Sequence, residues 1–143
     1  MAKSFNFSKA PGHLIRRAQQ LAVSIFLEET AGFDVTPVQF AILNALIDEP
    51  GEDQITLSGR VAFDPATFGS VICRLEAKGW VRSQADPLDK RRKLLWTTPE
   101  GEQVALQMKR AVSRAQQRIV SPLAPDERVQ LAALLGKLVA GHE

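Results

Sequence analysis

A chain of 143 residues, 45% hydrophobic and 24% charged, has the size and composition of one ordinary globular domain, which excludes a disordered or fibrous protein. No apolar run reaches the roughly 18–20 residues of a membrane span, and the N-terminus has no apolar signal segment, so we expect a cytoplasmic protein with no membrane partner. The single cysteine, Cys73, cannot form an internal disulfide, which fits a reducing compartment. The net charge of +2 does not by itself indicate nucleic acid, so such an argument depends on where the cations lie.

The first half of the chain is predicted to be helical. Apolar residues recur at helical spacing in four segments, each bounded by a turn or a capping residue. In chain order the predicted helices run over residues 11–31, from Thr36 to about residue 48, from about Thr56 to a turn around Ala62, and from Asp64 to Gly79. Two of these starts place proline at the first helical position, directly after the capping threonine or aspartate.

The second half begins with a β-hairpin. Residues 80–84 and 93–97 favour strands, and the loop between them contains the sequence DPLDKRRK. A long helix over residues 99–120 and a final helix from about residue 125 follow. The order of four helices, a hairpin and two helices predicts a mainly α fold with a small β-hairpin wing: a winged helix-turn-helix with additional helices.

The fourth helix is the candidate recognition helix. A helical wheel places Thr67, Ser70 and Arg74 together, away from the apolar stripe. Hydroxyl groups near the helix start and an arginine further along suit docking in the major groove, where side chains meet base edges and phosphates. The alternative is the solvated face of an ordinary surface helix.

The loop of the hairpin concentrates cations. Four of them are consecutive and a fifth lies on the partner strand: Lys90, Arg91, Arg92, Lys93 and Arg82. A narrow minor groove attracts such side chains, whereas the alternative is a solubilising turn. Asp86 and Asp89 partly neutralise the loop, and we expect a carboxylate there to orient at least one arginine. The pattern predicts a wing that grips DNA.

These segments together resemble a known family. LSGRVAFDPATFGSVICRLEAKGWVRS, followed by DPLDKRRKLLWTTPEG, is similar to the core of the MarR-type transcriptional regulators. The tripeptide DKR at residues 89–91 matches the Asp-x-Arg signature of the family's wing, and TPEG at residues 98–101 matches the helix start that follows it. The segment TPVQFAILNAL resembles the family's second helix, so the resemblance extends from about residue 11 to about residue 140.

The resemblance implies an assembly and a function. Members are obligate dimers that bind pseudo-palindromic DNA, so the expected partners are a double-stranded operator and a second copy, and we expect a repressor. Residues 36–98 would form the winged helix-turn-helix, and residues 9–32 and 99–143 the dimerisation part of a single domain, 1–143. Asp89 of the wing signature joins the predicted DNA-binding residues. The alternative is that the terminal helices cover the winged helix within one chain.

The resemblance also implies a small-molecule effector. Regulators of this family usually release DNA when a small, often aromatic, anion binds between the dimer helices and the winged helix. His13, Arg16 and Arg17 form a polar stripe on the first helix that suits a carboxylate. Phe40 on the second helix could stack against a ring. We therefore expect an aromatic or heteroaromatic carboxylate; a solvated helix face is the alternative.

Other mechanisms are not favoured by the sequence. Zinc needs about four good ligands, and only His13, His142 and Cys73 offer nitrogen or sulfur, so neither a metal site nor a cofactor is predicted. Peroxide-sensing members place their cysteine in the first helix and use tyrosines. This chain has no tyrosine, and Cys73 lies in the recognition helix, where we expect a packing or bystander residue.

The inventory for an enzyme is poor. The chain has no Gly-rich phosphate loop, no Ser-His-Asp set with plausible spacing and no paired histidines. The functions left as alternatives to a ligand-responsive repressor are a winged-helix protein-interaction module and a redox-responsive regulator that acts through Cys73.

Overall fold

The computed structural model describes residues 4–61 and 63–143, so Ala62, in the predicted turn, lies outside the described residues. Within these ranges the chain forms six α-helices and a three-stranded antiparallel sheet, which confirms the mainly α fold with a small β wing. The helices are α1 (Pro11–Glu29), α2 (Pro37–Asp48), α3 (Gln54–Arg60), α4 (Pro65–Ala77), α5 (Pro99–Ile119) and α6 (Pro125–Ala140). The strands are β1 (Glu52–Asp53), β2 (Val81–Ala85) and β3 (Lys93–Thr97), and a 3₁₀ helix, Phe7–Lys9, precedes α1.

Short-range capping contacts determine where α2 and α4 begin. The Thr36 hydroxyl accepts a hydrogen bond from the backbone N–H of Gln39, and the Gln39 side chain accepts one from the N–H of Thr36, both at 3.2 Å. At α4 the Asp64 carboxylate accepts from the N–H of Ala66 at 3.2 Å. A proline follows each cap, where its missing N–H leaves no helical hydrogen bond unmade. These starts confirm the capping motifs predicted from the sequence.

The sheet contains one strand that the sequence did not predict. β3 is the central strand and pairs antiparallel with both β1 and β2, so the wing is three-stranded rather than a simple hairpin. β1 has only two residues, too few to show an alternating pattern. Asp53 of β1 is also the N-cap of α3, because its carboxylate accepts from the N–H of Thr56 at 3.0 Å. For this reason α3 begins at Gln54, before the predicted start.

The chain forms two compact units. Residues 30–111 make up one unit, which contains α2 to α4, the sheet and the first part of α5. The other unit combines residues 4–29 with residues 112–143, that is, α1, the rest of α5 and α6. The functional division predicted at residues 36–98 remains a prediction.

The unit of residues 30–111 has a closed apolar core. The large, fully buried side chains of its main apolar cluster come from α2, α3, α4 and β3: Ile42, Leu43, Leu46, Leu57, Phe68, Ile72, Leu75 and Leu95. Burying one such side chain contributes about 1.5–3 kcal/mol relative to leaving it exposed. The α4 members confirm the predicted apolar stripe of the recognition helix. The core therefore holds α4 with one defined face toward solvent.

The unit of residues 4–29 and 112–143 buries much less apolar surface. On α1, Phe26 is buried, whereas Leu14, Ile15 and Leu21 of the predicted stripe are exposed. No residue of α6 is buried in this part of the described chain. The large apolar side chains exposed on α6 are Val129, Leu134, Leu135, Leu138 and Val139.

Ion pairs join α1 to α5 within the same unit. The Glu29 carboxylate accepts hydrogen bonds from the guanidinium groups of Arg114 and Arg118, each at 3.1 Å. Arg118 also donates to Glu28 at 2.8 Å. The hydrogen bonds from the two arginines, Arg114 first, lower the pKa of Glu29, so this carboxylate is charged at neutral pH.

The motif TPEG at residues 98–101 joins the wing to α5. The Thr98 hydroxyl donates to the carbonyl of Gly79 at 2.6 Å and accepts from the backbone N–H of Gly101 at 3.1 Å. The backbone N–H of Thr98 donates to the carbonyl of Trp80 at 3.0 Å. A Cβ atom on Gly101 would collide with that Trp80 carbonyl and would lie 3.1 Å from the Cα of Trp80. Only glycine at position 101 therefore allows α5 to start this close to β2.

We predict that Gly101→Ala lowers the free energy of unfolding by about 1–3 kcal/mol, because the added methyl group forces the start of α5 away from Trp80. Urea unfolding at one fixed protein concentration measures the change. Gly59→Ala is the matched control, since no atom lies within 4 Å of the added Cβ and alanine favours the helix. An unchanged unfolding midpoint for Gly101→Ala would contradict this account of the motif.

Candidate nucleic-acid interface

The exposed face of α4 carries the predicted recognition residues. Thr67, Ser70 and Arg74 are all exposed, on the side of the helix opposite the buried stripe, as the helical wheel predicts. The Ser70 hydroxyl donates to the carbonyl of Thr67 at 2.8 Å, and the Thr67 hydroxyl donates to the carbonyl of Asp64 at 3.3 Å. Both hydroxyl oxygens keep lone pairs that can accept from a base amino group.

Cys73 also lies on the solvent side of α4. Its side chain is exposed, so of the two expected roles, packing or bystander, the structure excludes packing in the core. The position is about 60° around the helix from Ser70, at about 100° per residue. A thiol therefore borders the recognition face.

The loop between β2 and β3 is closed by its own backbone. The N–H of Asp86 donates to the carbonyl of Arg92, and the N–H of Arg92 donates to the carbonyl of Asp89, both at 2.9 Å. The buried Asp86 carboxylate accepts from the N–H of Leu88, also at 2.9 Å. These contacts give the wing tip a fixed shape without any apolar core of its own.

Two cations, Lys90 and Arg91, lie at the tip of the loop. Arg91 has 92% of its side chain exposed, and its Nε lies 3.3 Å from the Asp89 carboxylate, which also accepts from the Arg91 N–H at 3.1 Å. Lys90 is exposed beside it. The expectation that a carboxylate orients an arginine of the wing is confirmed. An exposed pair of this kind contributes at most about 1 kcal/mol to stability, so orientation is its more important effect.

Arg82 lies against an aromatic ring on the sheet. It pairs across the strands with Trp96, and its guanidinium carbon lies 4.4 Å from the centre of the indole ring. A Cβ atom on Gly51, whose φ is +79°, would approach the same ring to 3.3 Å, so glycine lets the backbone pack beside it. A guanidinium stacked in this way keeps its donors available at the ring edge.

The last two of the four consecutive cations, Arg92 and Lys93, contact carboxylates outside the loop tip. Arg92 donates to Asp53 at 3.0 Å and lies 3.6 Å from the Asp86 carboxylate. Lys93 Nζ lies 3.6 Å from the Glu76 carboxylate of α4. Hydrogen bonds from Thr56, with a further one from Arg92, lower the pKa of Asp53 from 3.8 to about 2. Asp53 is therefore ionised throughout the neutral range.

The predicted effector residues are divided between the two units. On α1, Arg16 Nη2 lies 3.4 Å from His13 Nδ1, and the ring of His13 packs against the ring of Phe7, with centroids 4.6 Å apart. Arg17 is exposed on the same helix. Phe40 belongs to α2 in the other unit and is half-buried. A cation, an imidazole and an aromatic ring are thus brought together at the start of α1.

The described residues also limit other chemistries. Across residues 4–61 and 63–143 there is no group of three or more His, Cys, Asp or Glu side chains that could hold a metal ion. No helix in the same ranges combines the length and apolar character that a membrane crossing requires.

Comparison with known proteins decides the family. The sequence model of the MarR family matches residues 35–93. The regulator HosA of Escherichia coli is 39% identical over 71 residues, which are 50% of this chain and 53% of HosA, so the match spans about half the length of that relative. Bordetella bronchiseptica BpsR superposes with a TM-score of 0.91 and 34% identity, over 96% of this chain and 98% of BpsR. The chain belongs to the MarR family.

Two solved structures of this family are informative about binding. The BpsR structure concerns regulation of its DNA binding by 6-hydroxynicotinic acid. CouR, a transcriptional repressor solved on a 23-mer DNA duplex, superposes with a TM-score of 0.87 and 26% identity, over 97% of this chain and 99% of CouR. Proteins of the MarR family are transcription regulators, which confirms the expectation of a DNA-binding regulator rather than an enzyme.

The structure adds residues that sequence reasoning did not single out. Asp53 and Glu76 hold cations of the wing, Trp96 lies under Arg82, and Phe7 packs on His13. One signal was available for Asp53, because an aspartate three residues before Thr56 fits an N-cap. The other contacts join residues that are distant in sequence or lie in a segment without periodicity.

Proposed function

We propose that this MarR-family chain is a homodimeric repressor that acts in the cytoplasm. A small aromatic or heteroaromatic carboxylate would release it from a pseudo-palindromic operator. The observation that carries the DNA-binding part is the pairing, on one compact unit, of an exposed polar face on α4 with a rigid cationic loop tip. The match to CouR, which was solved on a DNA duplex, supports the same reading.

The DNA-contacting groups fall into two sets. Thr67 and Ser70 sit in the first half of α4, the part of a recognition helix that reaches base edges, and we assign them to base reading. Arg74 is one turn beyond Ser70 and takes a phosphate or a guanine. At the wing, Lys90 and Arg91 enter the minor groove or contact its phosphates. Asp89 orients Arg91, and the Trp96 ring orients Arg82 toward the DNA phosphates.

A second copy of the chain is the proposed partner of α1 and α6. Exposed apolar side chains occupy both helices, and monomeric proteins rarely expose large continuous apolar patches. On α6, Leu134 and Leu138 line an open cleft of about 410 Å³ near the helix end. The cleft and the apolar residues around it lie within the terminal helices, which are the dimerisation part of proteins in this family.

The effector proposal rests on the start of α1. Arg16 and Arg17 offer guanidinium donors for a carboxylate, and His13 offers a hydrogen bond beside them. The ring of Phe7, already packed on His13, offers a stacking surface for an aromatic ligand. BpsR, whose DNA binding is regulated by 6-hydroxynicotinic acid, provides the ligand class. Phe40 stays a proposed stacking residue on the basis of the sequence alone.

Replacing the α4 hydroxyls tests base reading. The probes are a duplex enriched by this protein from a random library and an unselected duplex of the same length. Thr67→Ala and Ser70→Ala should each lower the ratio of selected to unselected affinity by roughly 1–3 kcal/mol, the usual size of a base contact. Arg91→Ala should lower the affinity for both duplexes and reduce the slope of log affinity against log salt concentration by about 1.

Lys109→Ala is the control for these variants, because it removes an exposed cation of α5 that is not assigned to DNA. Circular dichroism should stay native in each variant. If the wild-type protein binds no duplex, the proposed function is wrong, and a protein-interaction module is the alternative that remains to be tested. If wild type binds but both hydroxyl variants keep full specificity, the base-reading face lies elsewhere.

The dimer is tested by placing charge in the α6 cleft. Sedimentation velocity at micromolar concentration should show a dimer of the 15.7 kDa chain. Leu134→Glu with Leu138→Glu should shift it to monomer or to unfolded protein, because burying two unpaired carboxylates costs several kcal/mol. Lys90→Glu, on the exposed wing tip and outside the predicted dimerisation part, makes the same change of two in net charge and should stay dimeric. A wild-type monomer at this concentration would exclude the assembly.

The effector prediction uses 6-hydroxynicotinic acid and a panel of benzoic and pyridine carboxylic acids as probes. An active compound should weaken binding to the selected duplex by about 5–150-fold, the range of coupling energies of 1–3 kcal/mol. Combining His13→Ala, Arg16→Ala and Arg17→Ala should remove this response and leave DNA affinity without ligand intact. Arg110→Ala is the matched control on α5.

Substituting the rings one at a time then locates the stacking partner. Phe7→Leu should weaken the response to the active acid if the ring beside His13 holds the ligand, and Phe40→Leu should do so if the α2 ring does. A normal response in the triple variant would place the pocket elsewhere. No response of the wild type to any aromatic acid would show that the ligand class is wrong while leaving the DNA-binding proposal standing.

A further inference from the structure

The four consecutive cations of the wing are divided by their contacts. Lys90 and Arg91 are exposed at the tip, and Arg91 is 92% exposed. Arg92 and Lys93 are about half exposed, 51% and 49%, and reach carboxylates on two other elements, Asp53 before α3 and Glu76 on α4. We propose that Arg92 and Lys93 are positioning residues, which fix the wing against both helices of the helix-turn-helix, rather than DNA contacts as the sequence suggests for Arg92.

The Arg92 contact joins the wing to the start of α3. The Asp53 carboxylate is only 15% exposed and is held by the backbone and hydroxyl groups of Thr56, at 3.0 and 2.7 Å. Arg92 Nη2 donates to Asp53 Oδ2 at 3.0 Å, across 39 positions of sequence. The second arm, Nη1, lies 3.6 Å from the buried Asp86 at the base of the loop. One planar guanidinium therefore bridges the loop base and the cap of α3.

The Lys93 contact joins the wing to the recognition helix. Lys93 is the first residue of β3, and its Nζ lies 3.6 Å from Glu76 Oε1 in the last turns of α4. That oxygen is inaccessible to solvent and has no hydrogen-bond partner among the described residues. A buried carboxylate oxygen is unfavourable without a nearby cation. Lys93, whose side chain is 49% exposed, brings a cation close to this oxygen from the start of β3.

Positioning matters because specific binding needs two contacts at once. The wing enters the minor groove only if its tip keeps the right distance and angle from the recognition helix in the adjacent major groove. A mobile wing loses conformational freedom when it binds in a fixed position. This cost weakens specific binding, which needs a fixed wing, more than it weakens non-specific electrostatic binding. This inference rests on the proposed DNA-binding function, and its test separates the two.

The deciding variant is Asp53→Asn, measured with the selected and the unselected duplex. Asparagine caps a helix about as well as aspartate, so α3 keeps its start. The substitution removes one negative charge from the DNA-binding unit. If Arg92 contacts DNA directly, freeing it from Asp53 raises affinity for both duplexes. If Arg92 positions the wing, affinity for the selected duplex falls by about five- to tenfold while the unselected duplex is bound equally well or better.

Arg92→Gln should reproduce this loss without changing the salt slope, whereas Arg91→Gln, one residue earlier, should reduce the slope by about 1. The double variant Asp53→Asn with Arg92→Gln should be no weaker than Arg92→Gln alone, because both changes remove one contact. Glu76→Gln tests Lys93 by the same logic, since it also removes a negative charge. A thermal melt of each variant checks that the fold is retained.

Tighter binding of both duplexes by Asp53→Asn and Glu76→Gln would overturn the proposal, and so would a reduced salt slope for Arg92→Gln. An unchanged affinity for the selected duplex in Asp53→Asn would also overturn it. If the wild-type protein binds no duplex, the proposed function itself is wrong. Loss of selected-duplex affinity with an unchanged slope is the result that supports positioning.

Discussion

The structure of the unit of residues 30–111 depends on β3, which is the central strand of its sheet. β3 pairs on one side with β1, which leads into α3, and on the other with β2, which follows α4. Its central residue, Leu95, is fully buried in the core, while its flanking residue Trp96 packs under Arg82 on the outer face. The strand thus ties both helices of the helix-turn-helix to one backbone. An alternating strand of five residues is sufficient, because its two faces serve different purposes.

The ends of β3 carry the contacts that position its neighbours. Lys93 at its start contacts Glu76 of α4, and Thr98 just after its end holds Gly79 and begins α5. These contacts are polar and local, whereas the apolar contacts of the core involve α2, α3, α4 and β3 together. Apolar burial keeps the unit folded, and the polar contacts at the ends of β3 set the angles between elements. Orientation is what a DNA-binding surface needs most, because base contacts are geometrically strict.

Local features of this fold could be predicted from sequence, and long-range ones could not. The capping box at Thr36, the cap at Asp64 and the apolar stripe of α4 depend on residues within one or two turns, and all were predicted correctly. β1 was not predicted because two residues show no periodicity. The strand forms only by pairing with β3, which lies about 40 residues further along the chain. The wing cations were predicted as a group, but their division depends on Asp53, which is 39 positions away from Arg92.

The same limit applies to the predicted sites. Thr67, Ser70 and Arg74 share a face because a helix has a fixed period, so the sequence was sufficient to group them. The sequence left Cys73 as either a packing or a bystander residue, because a residue at the border of an apolar stripe can face either the core or solvent. Phe7 lies in a short 3₁₀ helix that shows no apolar periodicity, so its contact with His13 could not be predicted from the sequence.

Because the protein has only a small net charge, its proposed binding to DNA depends strongly on the geometry of the wing. A net charge of +2 provides little general attraction to DNA, and electrostatic attraction is the part of binding that ignores sequence. Two further wing cations, Arg92 and Lys93, face the carboxylates of Asp53 and Glu76, which offset part of their charge. Binding then depends on wing and recognition helix meeting their grooves together. Under the proposed function, a complex balanced in this way would be released by a coupling energy of only about 1–3 kcal/mol between effector and DNA.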